Sequence, residues 1–202
     1  YKAAAAYAGG KVIQDVGGGI CQISSTLYNA VLLANLEITD RSNHCFETSY
    51  VPAGRDATVN WGTVDFQFKN NRKYPIKIET TAGGGIATAK IHGLKEENEY
   101  EVVIQSKVTS YISRTTRYKN DSTMDEGKEV IEDNGFGGCN SETYKILKLN
   151  GEVVSQALIS RDSYDPMDRI IIRGTKKVVK PEQEVPVNKG NEEQEPTQEQ
   201  NQ

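Results

Sequence analysis

Three consecutive glycines, Gly17-Gly18-Gly19, run directly into Ile20-Cys21-Gln22. Glycine has no Cβ, so the backbone there can turn sharply and come close to a ligand. The residues that follow carry a helical pattern, which puts Cys21 in a first helical turn, where N–H groups lack partners and the helix end is positive. That setting favours the thiolate, the nucleophilic form of cysteine. The same N–H groups suit a developing oxyanion. The needs of acyl transfer thus meet in the six residues from Gly17 to Gln22. A second reading also stands at this level: a glycine turn before a helix whose cysteine packs as a small hydrophobe. A phosphate loop is ruled out, because Ile20-Cys21 occupies the place of the required Lys-Ser/Thr.

A cysteine nucleophile generally needs a base, and the chain has only two histidines, His44 and His92. His92 stands before Gly93 in a turn-like stretch and reads as solvent-exposed. His44, in Asn43-His44-Cys45 with a strand-like run over Phe46–Val51 behind it, is the better general base. The competing role for His44 is a hydrogen-bonded histidine at a strand end. On a strand, Cys45 points away from the face His44 uses. Arg55, in the turn Tyr50–Thr58, has the planar fork that anchors carboxylates; equally, Arg55 and Asp56 can pair elsewhere to pin the turn. The spacing of Cys21, His44 and Cys45 lacks the paired pattern of structural zinc sites, and no metal is expected.

These residues need elements to hold them. Ile23, Leu27, Ala30, Val31 and Ala34 recur at helical spacing, which predicts a helix over Ile20–Leu36, with Asn35 as a stop. Short alternating strands follow, with Val64, Phe66 and Phe68 on one face, then Ile76–Ile78, Ile86–Ile91 and Val102–Val108. Beyond them Asn150-Gly151 predicts a tight hairpin turn inside Glu142–Ser160, and Ile170-Ile171-Ile172 a further strand. The expected fold is α+β: one N-terminal helix packed on an antiparallel sheet, then a small all-β module. A disordered acidic tail closes the chain. Boundaries fall near 1–108, 109–179 and 180–202, the last being rich in Glu, Gln, Pro and Asn and without aromatic residues.

The chain has 202 residues, 36% hydrophobic and 26% charged, with a net charge of −4. No basic field argues for nucleic acid, and no apolar run approaches the ~20 residues that span a bilayer. Three cysteines without a CxxC pair do not form a disulfide framework. A chain opening on Tyr1 reads as part of a longer protein with an export segment or membrane anchor upstream.

The stretch Gly17-Gly18-Gly19-Ile20-Cys21-Gln22-Ile23-Ser24-Ser25-Thr26-Leu27-Tyr28-Asn29-Ala30 resembles the signature of the VanW family. Leu36-Glu37-Ile38, His44, Ser49-Tyr50-Val51-Pro52, Gly54–Val59 and Asp65–Asn70 continue that resemblance over about the first 80 residues. Family members are typically exported, cell-wall-associated proteins of Gram-positive bacteria, linked to L,D-transpeptidation through the motif cysteine. The resemblance therefore implies a cysteine-dependent transferase at the cell surface. It would form 3–3 cross-links between peptidoglycan stem peptides, with Cys21 and His44 catalytic, Gly18, Gly19, Tyr50 and Arg55 binding substrate, and no cofactor. The alternative is a wall-binding module without turnover. Cys45 departs from the family pattern, which leaves open a second thiol near the site or a disulfide with Cys21. Glu126-Gly127-Lys128, Asn134–Gly137, Thr143-Tyr144, Asn150–Ser155 and Arg173–Lys176 resemble the five-glycine domain of cell-wall proteins. That resemblance implies a β module that binds wall glycan or acts as a spacer.

Overall fold

The computed structural model describes residues 3–8 and 11–177. The stretch 180–202, expected to be disordered, lies outside the described residues. In chain order the elements are β1 (Ala3–Ala8), β2 (Lys11–Val16), α1 (Ile20–Leu33), β3 (Glu37–Asp40), β4 (Gln67–Lys69), β5 (Lys77–Gly83), β6 (Ile86–His92), β7 (Glu101–Ile112), β8 (Thr116–Asp125), β9 (Glu129–Asp133), β10 (Gly138–Leu149), β11 (Glu152–Tyr164) and β12 (Arg169–Lys176). This is the expected α+β arrangement, with one helix among the described residues. The strands form the pairs β1-β2, β3-β4 and β5-β6 and the three-stranded sheets β11-β10-β7 and β8-β12-β9. All neighbours are antiparallel except β8 and β12, which run parallel.

The hairpin predicted at Asn150-Gly151 joins β10 to β11, with φ of 53° and 87° at its two central residues. Left-handed angles at both positions match the twist of the flanking strands. α1 stops at Asn35, whose φ of 54° is left-handed. Leu36 N–H donates to the Val31 carbonyl at 3.1 Å, which closes the helix end. The boundary expected near Thr109 falls inside β7, which pairs with β10 from Glu101 to Ile112. The two halves also share a core, for Ile104 of β7 and Ile159 of β11 pack with Tyr28, Leu32, Ala57, Ile38 and Phe66.

The helical stripe is rotated from its expected place. Ile23 is 40% exposed, whereas Ser25, Tyr28, Val31 and Leu32 are buried. The reason is what the first two turns pack against: a length of backbone, Arg55–Val59. Asn29 Nδ2 donates to the Arg55 carbonyl at 2.7 Å and Ser24 Oγ to the Ala57 carbonyl at 2.6 Å. Ala57 N–H donates to Ser25 Oγ at 2.9 Å, and Cys21 Sγ reaches the Val59 carbonyl at 3.4 Å. The register is geometric. Four helical residues rise about 6 Å and two extended residues about 6.6 Å, so a polar side chain every fourth residue meets every second peptide. Apolar side chains on this face would leave those buried peptide groups unpaired.

Its other edge is held by the segment before it. Thr58 N–H donates to the Ser42 carbonyl at 2.8 Å and Arg41 Nε to the Asp56 carbonyl at 2.6 Å. Between Asp40 and Gln67 the only pairing of strand type is the isolated Asn60–Val64 bridge. The strand expected over Phe46–Val51 is therefore replaced by an irregular loop, since Pro52 and a turn at Gly54 interrupt any ladder. That turn, closed by Arg55 N–H on the Pro52 carbonyl at 3.0 Å, sits on β10. Gly54 has φ of +83°, and a Cβ there would stand 2.2 Å from Thr143 Oγ1.

Ser25→Ala removes the acceptor of the buried Ala57 N–H and should cost about 1–3 kcal/mol, read as a lower Tm in thermal unfolding. Thr26→Ala, on the outer face where Oγ1 bonds only the Gln22 carbonyl, should stay within about 0.5 kcal/mol of the parent.

Candidate active site

α1 begins at Ile20 with Gly19 as its N-cap, so Cys21 is the second helical residue. Gly17 carries the sharp turn at φ +95°, and Ile20 N–H donates to its carbonyl at 2.9 Å. Gly19 has no left-handed angle, and a Cβ there would meet nothing within 4 Å. The space beside the helix end is therefore open. The N–H of Ile23 bonds the Gly19 carbonyl at 3.4 Å. The N–H groups of Cys21 and Gln22 fall among the four that helix geometry leaves without an intrahelical partner.

The half-buried Cys21 thiol lies beside His44, near enough that each shifts the other's titration, and its Sγ reaches the Val59 carbonyl at 3.4 Å. The imidazole is turned by Asp56, whose Oδ2 lies 2.6 Å from His44 Nδ1 and accepts the His44 backbone N–H at 2.7 Å. With Nδ1 held, Nε2 is left for the sulfur side of the ring. Tyr50 stands there too, its Oη 3.5 Å from Nε2 and its ring edge-on to the imidazole at 6.4 Å. Asp56 is 1% exposed. Its Oδ1 accepts from Arg41 Nη2 at 3.0 Å and from the hydroxyl of Tyr164. Arg41 bonds Asp162 as well and lies over the Tyr28 ring, 5.2 Å from its centroid. Thiol, imidazole and carboxylate thus form a Cys–His–Asp relay, a constellation recognised by geometry and roles.

Charge follows from this geometry. Burial alone would raise the Asp56 pKa, but the hydrogen bonds from His44 and Tyr164 and the Arg41 charge hold it below the ordinary carboxylate value. Burial opposes the imidazolium, yet the bond to Asp56 and the nearness of Cys21 outweigh it and lift His44 to about 9. Burial likewise opposes the thiolate, and the neighbouring His44 and its charge bring Cys21 below the ordinary thiol value. The Val59 carbonyl suits the neutral thiol and the imidazolium suits the thiolate; the net direction is down. The pairing therefore keeps His44 as imidazolium near neutral pH and enlarges the thiolate share of Cys21 over that of an ordinary cysteine. Burial pushes the Tyr50 hydroxyl up to about 12, so it remains a donor.

Of the residues read from the sequence, Cys21, His44 and Tyr50 come together, with Gly18 and Gly19 at the adjoining helix end. Arg55 does not join them. Its Nε donates to Asn29 Oδ1 at 2.5 Å and its Nη1 to the Ile104 carbonyl at 3.4 Å. Asn29 is two helical turns from Cys21, about 12 Å along the axis. Arg55 and Asp56 each pair elsewhere, Arg55 with Asn29 and Asp56 with Arg41, which is the turn-pinning alternative. Cys45 is exposed on the loop, not on a strand, and Cys21, Cys45 and Cys139 are all free thiols. His92 ends β6 and pairs with Glu79 at 3.4 Å, with half of its side chain exposed. Sequence reasoning missed Asp56, Arg41 and Tyr164. The only local signal was an acid twelve residues after His44, in a loop with no periodicity.

Residues 1–92 match the family described as VanW like protein, and residues 103–176 match the G5 domain. The chain is 51% identical over 85 residues to YoaR of Bacillus subtilis (strain 168), covering 42% of this chain and 28% of that protein. It is 33% identical over 86 residues to the vancomycin B-type resistance protein VanW of Enterococcus faecalis (strain ATCC 700802 / V583), covering 40% and 31%. The match thus spans less than a third of each of these relatives. Among solved structures, the G5 domain of IgA1 protease covers 40% of this chain and 98% of its own, at 26% identity and a TM-score of 0.28. The G5 domain of HP0197 covers 38% and 99%, at 18% identity and a TM-score of 0.23.

Asp56→Asn should lower the His44 pKa, because the charge that favours the imidazolium is gone. With less imidazolium, the Cys21 pKa should rise and its thiolate fraction near neutral pH should fall by about ten-fold. Iodoacetamide labelling of the Cys21 peptide against pH, followed by mass spectrometry, reads this as an inflection moved upward.

Proposed function

We propose that this chain, a VanW-like segment continuous with a G5 domain, is the catalytic part of a cell-wall-associated L,D-transpeptidase that works through Cys21. The observation that carries this reading is the Cys21–His44–Asp56 relay at an open helix N-terminus. In the first step the Cys21 thiolate attacks the stem-peptide amide carbonyl that follows the L-centre of the diamino acid. The N–H groups of Cys21 and Gln22 face the oxygen that gains charge. The C–N bond breaks, His44 gives its proton to the leaving D-alanine amine, and a thioester remains on Cys21. The side-chain amine of a second stem then attacks that carbonyl. The C–S bond breaks, His44 takes the amine proton, and the thiolate is restored with a 3–3 cross-link made. One amide is exchanged for another, so the balance needs no oxidant or cofactor. Tyr50, held protonated above the imidazole, is a donor for the stem carbonyl.

Peptidoglycan stems are the substrate in this reading, and the surface or wall of the cell is its place. The G5 match favours contact with wall glycan as well, and a module that only binds the wall is the competing reading.

The test incubates purified tetrapeptide stems with the protein and reads dimeric muropeptides by mass spectrometry. Cys21→Ser should abolish the dimer, since the helix end cannot ionise a hydroxyl near neutral pH. His44→Ala should slow it by about a hundred-fold or more. His92→Ala and Cys45→Ser should retain activity. Stem binding without any dimer from the parent protein would favour the wall-binding module.

A further inference from the structure

The carboxylate that turns His44 is itself held from the far half of the chain. Tyr164, at the end of β11, is fully buried and stands 108 residues from Asp56. Its hydroxyl donates to Asp56 Oδ1 and accepts the Gly54 N–H at 2.7 Å. One oxygen thereby ties both the carboxylate and the turn two residues before it. Asp162 lies two residues earlier on β11, on the same buried face. It bonds Arg41 Nη1 and accepts from Ser160 Oγ at 2.7 Å. With Nη1 so engaged, the Arg41 guanidinium is fixed where Nη2 and Nε meet Asp56. The strand pleat makes this possible, since residues 160, 162 and 164 share one face.

We infer that the second half of the chain is a built-in part of the reacting centre, with Tyr164 and Asp162 as positioning residues that aim Asp56 at His44. The segment that matches the G5 domain is thus more than an attachment to a self-sufficient catalytic unit. Ordinary packing between two modules would not require a hydroxyl and a carboxylate converging on the same buried acid. Buried acids need full sets of donors, and here Asp56 draws one donor from β11 directly and another through Arg41. The charged and titratable groups around Asp56 are His44, Arg41, Tyr164, Asp162 and, across the imidazole, Cys21 and Tyr50.

Other bonds dock the loop without Tyr164. Asn43 Nδ2 donates to the Ser163 carbonyl at 2.8 Å and Asp165 N–H to the Cys45 carbonyl at 2.6 Å. Phe46 meets Phe136 edge-on at 5.5 Å. Single substitutions can therefore alter the aim of Asp56 while the halves stay together.

The test uses the full chain carrying Tyr164→Phe or Asp162→Asn. The control carries Asn150→Ala with Gly151→Ala, a change about 40 Å along β11 from Tyr164. Alkylation of the Cys21 peptide is followed across pH by mass spectrometry, with folding checked by circular dichroism. Both positioning variants should react about ten-fold more slowly below the inflection, an upward displacement of about one pH unit. The control should lose thermal stability with its inflection in place. An unmoved inflection in Tyr164→Phe, or an equal displacement in the control, overturns the inference. If Tyr164→Phe does not fold, the Asp162→Asn profile decides by the same criterion. Alkylation needs no stem peptide, so this result stands apart from the acyl-transfer reading above, whatever the muropeptide assay returns.

Discussion

A carboxylate taken out of water must be met by donors, and the Asp56 carboxylate has almost no exposure left. Four donors reach it: the backbone and ring of His44, the guanidinium of Arg41 and the hydroxyl of Tyr164. They come from the loop after β3 and from the end of β11, so neither half of the chain can satisfy the charge alone. Removing one partner of such a group costs far more than an ordinary hydrogen bond contributes, because the remaining charge stays buried. The position of the loop, the docking of the two halves and the orientation of the imidazole all follow from satisfying this one group.

That requirement also accounts for the kind of surface found on either side of the loop. The face of β10 and β11 beneath it carries Cys139, Ser141, Thr143, Ser160, Asp162 and Tyr164, in register across the two strands. Small side chains let the backbone at Gly54 come down onto the sheet, and Thr143 Oγ1 donates to the Gly54 carbonyl at 3.2 Å, a bond that an aliphatic layer could not supply. On the other side, α1 offers Cys21, Ser24, Ser25 and Asn29 to the peptides of Arg55–Val59. A loop of irregular shape is buried here, and each backbone group it takes out of water has to be matched by a neighbour. Rigid placement of the relay is the result, in a chain whose hydrophobic clusters are small.

The chemistry rests on the same placement. A thiolate at a helix N-terminus is already favoured, but a half-buried one also needs its counter-ion fixed. His44 supplies it only while Asp56 holds Nδ1, which leaves Nε2 for the sulfur. Tyr50 stands edge-on to the imidazole, its Oη 3.5 Å from Nε2. An open space beside Gly19 gives a substrate carbonyl room at the helix end.

Much of this was legible in the residues themselves. Glycines before a helical pattern located Cys21, a pair of histidines of which one precedes a turn singled out His44, and Asn150-Gly151 announced its hairpin. These features depend on backbone angles and local periodicity, which act over a few residues. Arg55 was left open between two roles for the same reason: local spacing shows a charged fork in a turn but not that Asn29 and Ile104 will occupy it. The rotated helical face, too, could not be seen, since Ser25 reads as a surface residue until a peptide is laid against it. Asp56, Arg41, Asp162 and Tyr164 were decided by tertiary structure alone. Their partnership spans up to 121 residues, and no local energetic preference records which distant donors will meet a buried charge.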